Sequence, residues 1–160
     1  GELTYFLGMQ VIQKKDYTFI SQEKYSRELL EKFNMHDSKP MSTPIAVGTK
    51  LGKHEDETSV DPTTYRRIIG SLLYLTMTRP NIVFATCLAI RFQSNPMEEH
   101  MAAAKRITRY IQGTHNYGLY FAAGRDSELS TFSDADWAGD VVDRKSTSGG
   151  AFFIGKKCVG

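Results

Sequence analysis

Two cysteines, Cys87 and Cys158, in 160 residues leave no disulfide framework. Cys87 falls in an apolar helical pattern and is expected to be a buried free thiol, the state suited to a reducing compartment. Four histidines (His36, His54, His100 and His115) are scattered and lack a CxxC partner, which argues against a zinc site. No run approaches the roughly 20 apolar residues of a membrane span, so no membrane partner is expected. The start, Gly1-Glu2-Leu3-Thr4, has neither an initiator Met nor a basic-then-apolar signal pattern, so the chain is expected to begin inside a longer protein. Internal repeats and low-complexity tracts are also missing.

What is present is an ordinary globular composition, 41% hydrophobic and 24% charged, enough for one domain or parts of two. The net charge of +2 hides a basic middle. Residues 61–118 carry seven Lys and Arg against three acids, whereas residues 1–60 and 119–160 each have one acid in excess. A basic helical wall suits a polyanionic partner, although a merely solvated helix face has the same composition.

That middle reads as three helices. Asp61-Pro62 starts the first, with Asp at the N-cap and Pro at N1, where no amide is lost. Ile68 to Met77 is apolar almost all round, which predicts a buried helix, and Gly70 within it predicts a close packing neighbour. Pro80 starts the second helix, capped by Arg79 or Thr78, with Ile82, Val83, Phe84, Ala85, Leu88, Ala89 and Phe92 as its apolar surface. Asn95-Pro96 starts the third, with Glu98 at N3 and Gly113 just beyond its end. One face of the third helix is apolar (Ala103, Ile107, Tyr110, Ile111). The other is a basic outer stripe of Lys105, Arg106 and Arg109 beside Ala102.

Before this block, Leu3 to Gln13 alternates at period two and reads as one strand. Lys14-Lys15-Asp16 is a turn and Tyr17–Ile20 a return strand. Ser21 is the expected cap of a helix presenting Tyr25, Leu29, Leu30 and Phe33, which ends between Met35 and Lys39. Pro40 to Pro44 must be extended, and residues 46–60 read as a polar, mobile linker. After the block, strands are expected at residues 118–121, 129–134 and 150–154, with the last 30 or so residues leaning on the bundle or poorly ordered. Tyr110, Tyr120 and Trp137 read as packing residues, and Arg144-Lys145 as phosphate contacts or as balance to nearby acids.

Six acids, Asp126, Glu128, Asp134, Asp136, Asp140 and Asp143, fall together without one intervening base. Such clusters bind hard cations such as Mg²⁺, and pairs of such ions promote phosphodiester hydrolysis. Asp is equally a turn residue.

Taken in order, several stretches resemble one family: Tyr5-Phe6-Leu7-Gly8-Met9, Lys39-Pro40 with Thr43-Pro44, Tyr65-Arg66 with Ile69-Gly70-Ser71-Leu72, Thr78-Arg79-Pro80, Ala103-Ala104-Lys105-Arg106, Gly113-Thr114, Ser133-Asp134-Ala135-Asp136-Trp137-Ala138-Gly139-Asp140, and Asp143-Arg144-Lys145-Ser146-Thr147-Ser148-Gly149. Together they resemble the Pol polyprotein of copia-type long-terminal-repeat retrotransposons, over nearly the whole chain. The resemblance implies the C-terminal part of the reverse transcriptase followed by the start of ribonuclease H. Residues 1–45 would end the polymerase palm, with Phe6, Leu7, Gly8 and Met9 in the hairpin that supports the primer. Residues 46–60 would be a linker, 61–118 a thumb-like bundle, and 119–160 a truncated ribonuclease H-like domain. Asp134 matches that domain's first metal-binding, catalytic Asp. The Tyr-Val/Met-Asp-Asp polymerase motif is absent from these 160 residues.

The expected fold is therefore α+β: an N-terminal β-hairpin and helix, a central three-helix bundle, and short C-terminal antiparallel strands of an incomplete sheet. The expected function is a reverse-transcriptase fragment that grips template–primer, an RNA–DNA or DNA duplex, through Lys105, Arg106 and Arg109 with Arg66 and Arg91. Alternatives are a metal-dependent nuclease acting through Asp134, or an inactive relic. The resemblance implies Mg²⁺ in the intact enzyme, with none held tightly by this piece. It also implies the remainder of the polyprotein as partner, and a location in cytoplasmic virus-like particles or the nucleus.

Overall fold

A computed structural model describes residues 4–52 and 58–123, together with the backbone of three C-terminal strands at 129–136, 147–154 and 157–158. Its class is α+β, as the sequence predicts. The first sheet holds β1 (Tyr5–Phe6), β2 (Met9–Gln13), β3 (Tyr17–Ser21) and β4 (Gly118–Ala122), antiparallel and in that order. Between β3 and β4 run α1 (Glu23–Lys32), α2 (Pro62–Leu75), a 3₁₀ turn (Pro80–Ile82), α3 (Val83–Ile90) and α4 (Glu98–Gln112). β3 and β4 pair from Tyr17↔Ala122 to Ser21↔Gly118, so the whole helical block is closed by two neighbouring strands. The second sheet orders β5 (Leu129–Asp136), β6 (Thr147–Ile154) and β7 (Lys157–Cys158), also antiparallel.

The expected single strand from Leu3 to Gln13 is in fact two strands and a tight turn. Tyr5 faces Gln10 and Phe6 faces Met9, leaving Leu7 and Gly8 as a two-residue loop with φ of 47° and 76°. Positive φ at both central residues is what a type I′ hairpin needs to match strand twist. Period-two alternation continues through the turn, which is why it reads as uninterrupted strand. Similarly, β4 belongs by hydrogen bonding to the first sheet rather than to the C-terminal strands.

Local start signals work where they are chemical. Asp61 caps α2, accepting from the amides of Thr63 and Thr64 at 3.1 and 2.9 Å, with Pro62 at N1. The Thr64 hydroxyl and amide, with the Thr63 amide, hold the Asp61 carboxyl below its ordinary 3.8. Ser21, by contrast, ends β3, and α1 is capped by Gln22 with no side-chain cap bond. α1 also stops earlier than expected, at Lys32, with Asn34 at φ 54° turning the chain. Pro80 opens a 3₁₀ turn rather than α3 itself, and neither Arg79 nor Thr78 caps it through a side-chain bond. In α4 the N-cap is Met97 and N3 is His100, two residues later than Asn95-Pro96 implies.

The core is built on α2. Tyr65, Ile69, Leu72 and Leu75 have no exposed surface and meet Leu29 and Leu30 of α1, Ala85 and Ala89 of α3, and Ala104, Ile107 and Ile111 of α4. The Tyr65 hydroxyl donates to the Ala89 carbonyl at 2.7 Å, and burial pushes its ionisation up to about 12. Only one face of α2 is buried, however. Arg66, Arg67, Gly70, Leu73 and Met77 are exposed, and a Cβ added at Gly70 would meet nothing within 4 Å. The expectation that something packs against Gly70 is therefore overturned. Cys87 also lies exposed on α3 rather than buried. Mutation of adjacent α2 residues separates the two faces. Leu72→Ala is expected to lower the unfolding free energy by about 2–5 kcal/mol in urea titration. Leu73→Ala, at a site 37% exposed, should change it by less than about 1 kcal/mol.

Candidate nucleic-acid interface

Tyr74, to which the sequence alone assigns no contact, joins the hairpin to the helices. Its hydroxyl donates to the Leu7 carbonyl at 2.5 Å, across 67 residues of sequence. A Cβ at Gly8 would collide with that hydroxyl, so Gly8 is required by contact as well as by φ. The Tyr74 ring meets Tyr25 of α1 edge-on at 4.7 Å. Its carbonyl accepts from Nε2 of buried Gln22 at 3.2 Å, and Gln22 Oε1 accepts from the Thr78 hydroxyl at 2.8 Å. The hairpin turn, the start of α1 and the end of α2 are thus fixed to one another. Tyr5, Phe6 and Leu7 remain exposed at the tip, while Gly8 and Met9 are half-buried.

Arg79 performs a second tie. It is buried, donating to the Thr114 carbonyl at 3.0 Å and the Thr114 hydroxyl at 2.6 Å, and it lies over the rings of Tyr110 and Tyr117. Desolvation lowers its ionisation, and the two tyrosines oppose that effect. This cation is consumed in linking the end of α2 to the turn after α4. Tyr110 is half-buried and its hydroxyl accepts from Asn81 at 2.5 Å, whereas Tyr120 is 44% exposed and stacks on Tyr17 at 5.0 Å.

The basic stripe of α4 does not stand open as a unit. Residues 39–52 cross it as a strap. Arg109 Nε donates to the Lys39 carbonyl at 2.7 Å, and the Met41 amide returns a bond to the Arg109 carbonyl at 3.2 Å. Arg106 Nη2 donates to the Thr43 hydroxyl at 2.9 Å. The far end is held at the start of α4. The Gly52 amide donates to Glu99 Oε1 at 3.0 Å, and the Gly52 carbonyl lies 2.8 Å from His100 Nε2. His100 Nδ1 accepts from the Met97 amide at 2.9 Å, so the proton sits on Nε2 and is given to Gly52. The ring is fully buried and stacked on Phe92 at 3.9 Å. Within the stretch expected to be a mobile linker, residues 46–60, Gly52 is tied to Glu99 and His100; residues 53–57 fall outside the described part.

Arg106 and Arg109 are half-buried beneath this strap, while Lys105 is exposed. Arg66 is exposed, with its Nε donating to the Gln93 carbonyl at 3.1 Å, and Arg91 is exposed at the end of α3. Between the strap and α4 lies a groove of about 500 Å³. Asp134 occupies β5 opposite Gly149, and Asp136 lies opposite Thr147. Asp126, Glu128, Trp137, Asp140, Asp143, Arg144 and Lys145 lie outside the described residues. Among the described residues no three His, Cys, Asp or Glu side chains converge as a metal site requires; the side chain of Asp134 lies outside the described residues. No described helix is long and apolar enough to cross a membrane.

No protein-family profile and no solved structure matches the chain. Curated proteins do. The chain is 43% identical over 154 residues to the retrovirus-related Pol polyprotein from transposon RE1 of Arabidopsis thaliana, covering 96% of this chain and 10% of that protein. It is 40% identical over 161 residues to the retrovirus-related Pol polyprotein from transposon TNT 1-94 of Nicotiana tabacum, covering 95% of this chain and 12% of that protein. An uncharacterized mitochondrial protein of Arabidopsis thaliana is 37% identical over 156 residues, covering 97% of this chain and 64% of that protein. The chain thus spans about a tenth of the length of the polyproteins it matches.

The Tyr74 tie is open to a direct test. Tyr74→Phe removes one hydrogen bond, worth about 1 kcal/mol, so chymotryptic cleavage at residues 5–7 should run about fivefold faster. An unchanged cleavage rate would contradict the tie.

Proposed function

This chain belongs to the Pol polyprotein family of copia-type retrotransposons, and on that premise we propose that it is the part of a reverse transcriptase that grips and positions a template–primer duplex. The carboxylates that perform polymerisation would come from the remainder of the polyprotein.

The observation that carries this reading is the joint at Tyr74. It fixes a hairpin tip with exposed Tyr5, Phe6 and Leu7 to the end of α2 that leaves Leu73 and Met77 open. One turn earlier, bare Gly70 lets a partner approach the helix backbone, and Arg66 and Arg67 lie exposed a further turn back. Cations on a rigid helix hold phosphates without reading sequence, which is what a polymerase needs of its template. Lys105 adds an exposed cation on α4. Arg106 and Arg109 act chiefly by holding the strap, so the phosphate contacts fall to Arg66, Arg67 and Lys105. No observation favours the nuclease reading through Asp134, whose companion acids lie mostly outside the described residues.

Three neutralised phosphates give a log–log salt slope of about −2.7, so heteroduplex affinity should fall roughly 40-fold between 50 and 200 mM salt. Fluorescence anisotropy with a labelled RNA–DNA duplex checks this. Each of Arg66→Ala, Arg67→Ala and Lys105→Ala should flatten the slope by about 0.9. Binding with a flat salt response in the parent chain would overturn the proposal.

A further inference from the structure

The groove between the strap and α4 has a chemistry that its own contacts leave incomplete. Arg106 Nε is buried and has no hydrogen-bond partner among the described residues, although Nη2 of the same guanidinium is bound to Thr43. A buried guanidinium N–H without an acceptor is costly, and an anionic oxygen is the partner that best satisfies it. Lys50, Arg106 and Arg109 line the groove against one carboxylate, Glu99, whose Oε1 already receives the Gly52 amide. The strap from 39 to 52 carries no acid, and the acceptors it offers the two arginines are a carbonyl and a hydroxyl. Among the described residues the groove lining therefore carries an excess of two positive charges, which matches a dianion better than a carboxylate. Ala102, Ala103 and Ile107 of α4 give it an apolar side. A volume of about 500 Å³ is that of a small-ligand cleft.

We propose that this groove binds a terminal phosphate monoester attached to a nucleobase-sized body, with the guanidinium groups of Arg106 and Arg109 taking phosphate oxygens and Lys50 closing over them at the rim. A phosphomonoester carries nearly two negative charges at neutral pH, and a guanidinium matches its oxygens in geometry as well as in charge. Two sources offer this chemistry: a free nucleoside monophosphate, or the 5′-phosphate end of a nucleic-acid strand. An internal phosphodiester has one charge and no free end, so the site is separate from the duplex-holding surface.

Isothermal titration of the whole chain with adenosine 5′-monophosphate and with adenosine, at matched ionic strength, tests the proposal. The monophosphate should bind at least about tenfold tighter than adenosine. Arg106→Gln should weaken the monophosphate about tenfold and leave adenosine unchanged. Lys50→Ala, at an exposed rim position, should weaken the monophosphate several-fold with no change in thermal unfolding. It decides the matter if Arg106→Gln fails to fold. Equal binding of the two probes, no binding of either, or parent-like affinity in Lys50→Ala would overturn the proposal. A ten-nucleotide strand with and without a 5′-phosphate separates the sources: about tenfold preference for the phosphorylated strand assigns the site to strand ends, and no preference assigns it to the free nucleotide. None of these outcomes alters the salt slope expected for the duplex.

Discussion

One-sided burial of α2 is the constraint on which the other arrangements rest. Its inner face fills the centre of the core, so the helix cannot rotate without exposing Tyr65, Ile69 and Leu72 together, at about 1.5–3 kcal/mol for each side chain. With the inner face fixed, the outer face and the Tyr74 hydroxyl are fixed too. The hairpin tip then docks at a defined place, through Leu7, and α1 is registered through Gln22. Strands β3 and β4 close the block from outside, so the sheet and the bundle share a single frame.

The distribution of arginines follows from that frame. The basic middle of the chain looks uniform when charges are counted along the sequence, yet its members do different work. Arg79 is buried as a structural tie with carbonyl, hydroxyl and ring partners. Arg106 and Arg109 hold a strap that carries no carboxylate, leaving their charge only partly answered. Arg66, Arg67 and Lys105 face outward. On the readings proposed above, a polyanion would meet the last group and a compact, doubly charged ligand the second.

Much of this was legible in the sequence wherever the signal was local. Asp61-Pro62 announces α2 because the cap is made by neighbours in the chain. The apolar face of α4 is readable from its period at Ile107 and Ile111, although Ala104 rather than Ala103 enters the core; the turn at Lys14–Asp16 is readable as well. What failed was non-local. Alternation from Leu3 to Val11 runs straight through the Leu7–Gly8 turn, and only Gly8 hints at it. Periodicity says which side of α4 is polar but not that a Pro-bearing strap covers it. Gly70 looks like a packing glycine within an apolar run, since the run does not reveal that Leu73 and Met77 face out. His100 carries no local signal of its place in the core, since histidine spacing speaks only to metals. Its role depends on Gly52, nearly fifty residues away. A functional role for Phe6 to Met9 is implied only by the family resemblance, not by their own pattern.

On the proposed reading, the hairpin tip and the outer face of α2 form one duplex-holding surface. Hydrogen–deuterium exchange of the whole chain, with and without an RNA–DNA duplex, tests it most directly. Slowed exchange at residues 5–9 and 66–77 together is the result expected. Protection that misses both stretches, or falls only on residues 147–158, would contradict it.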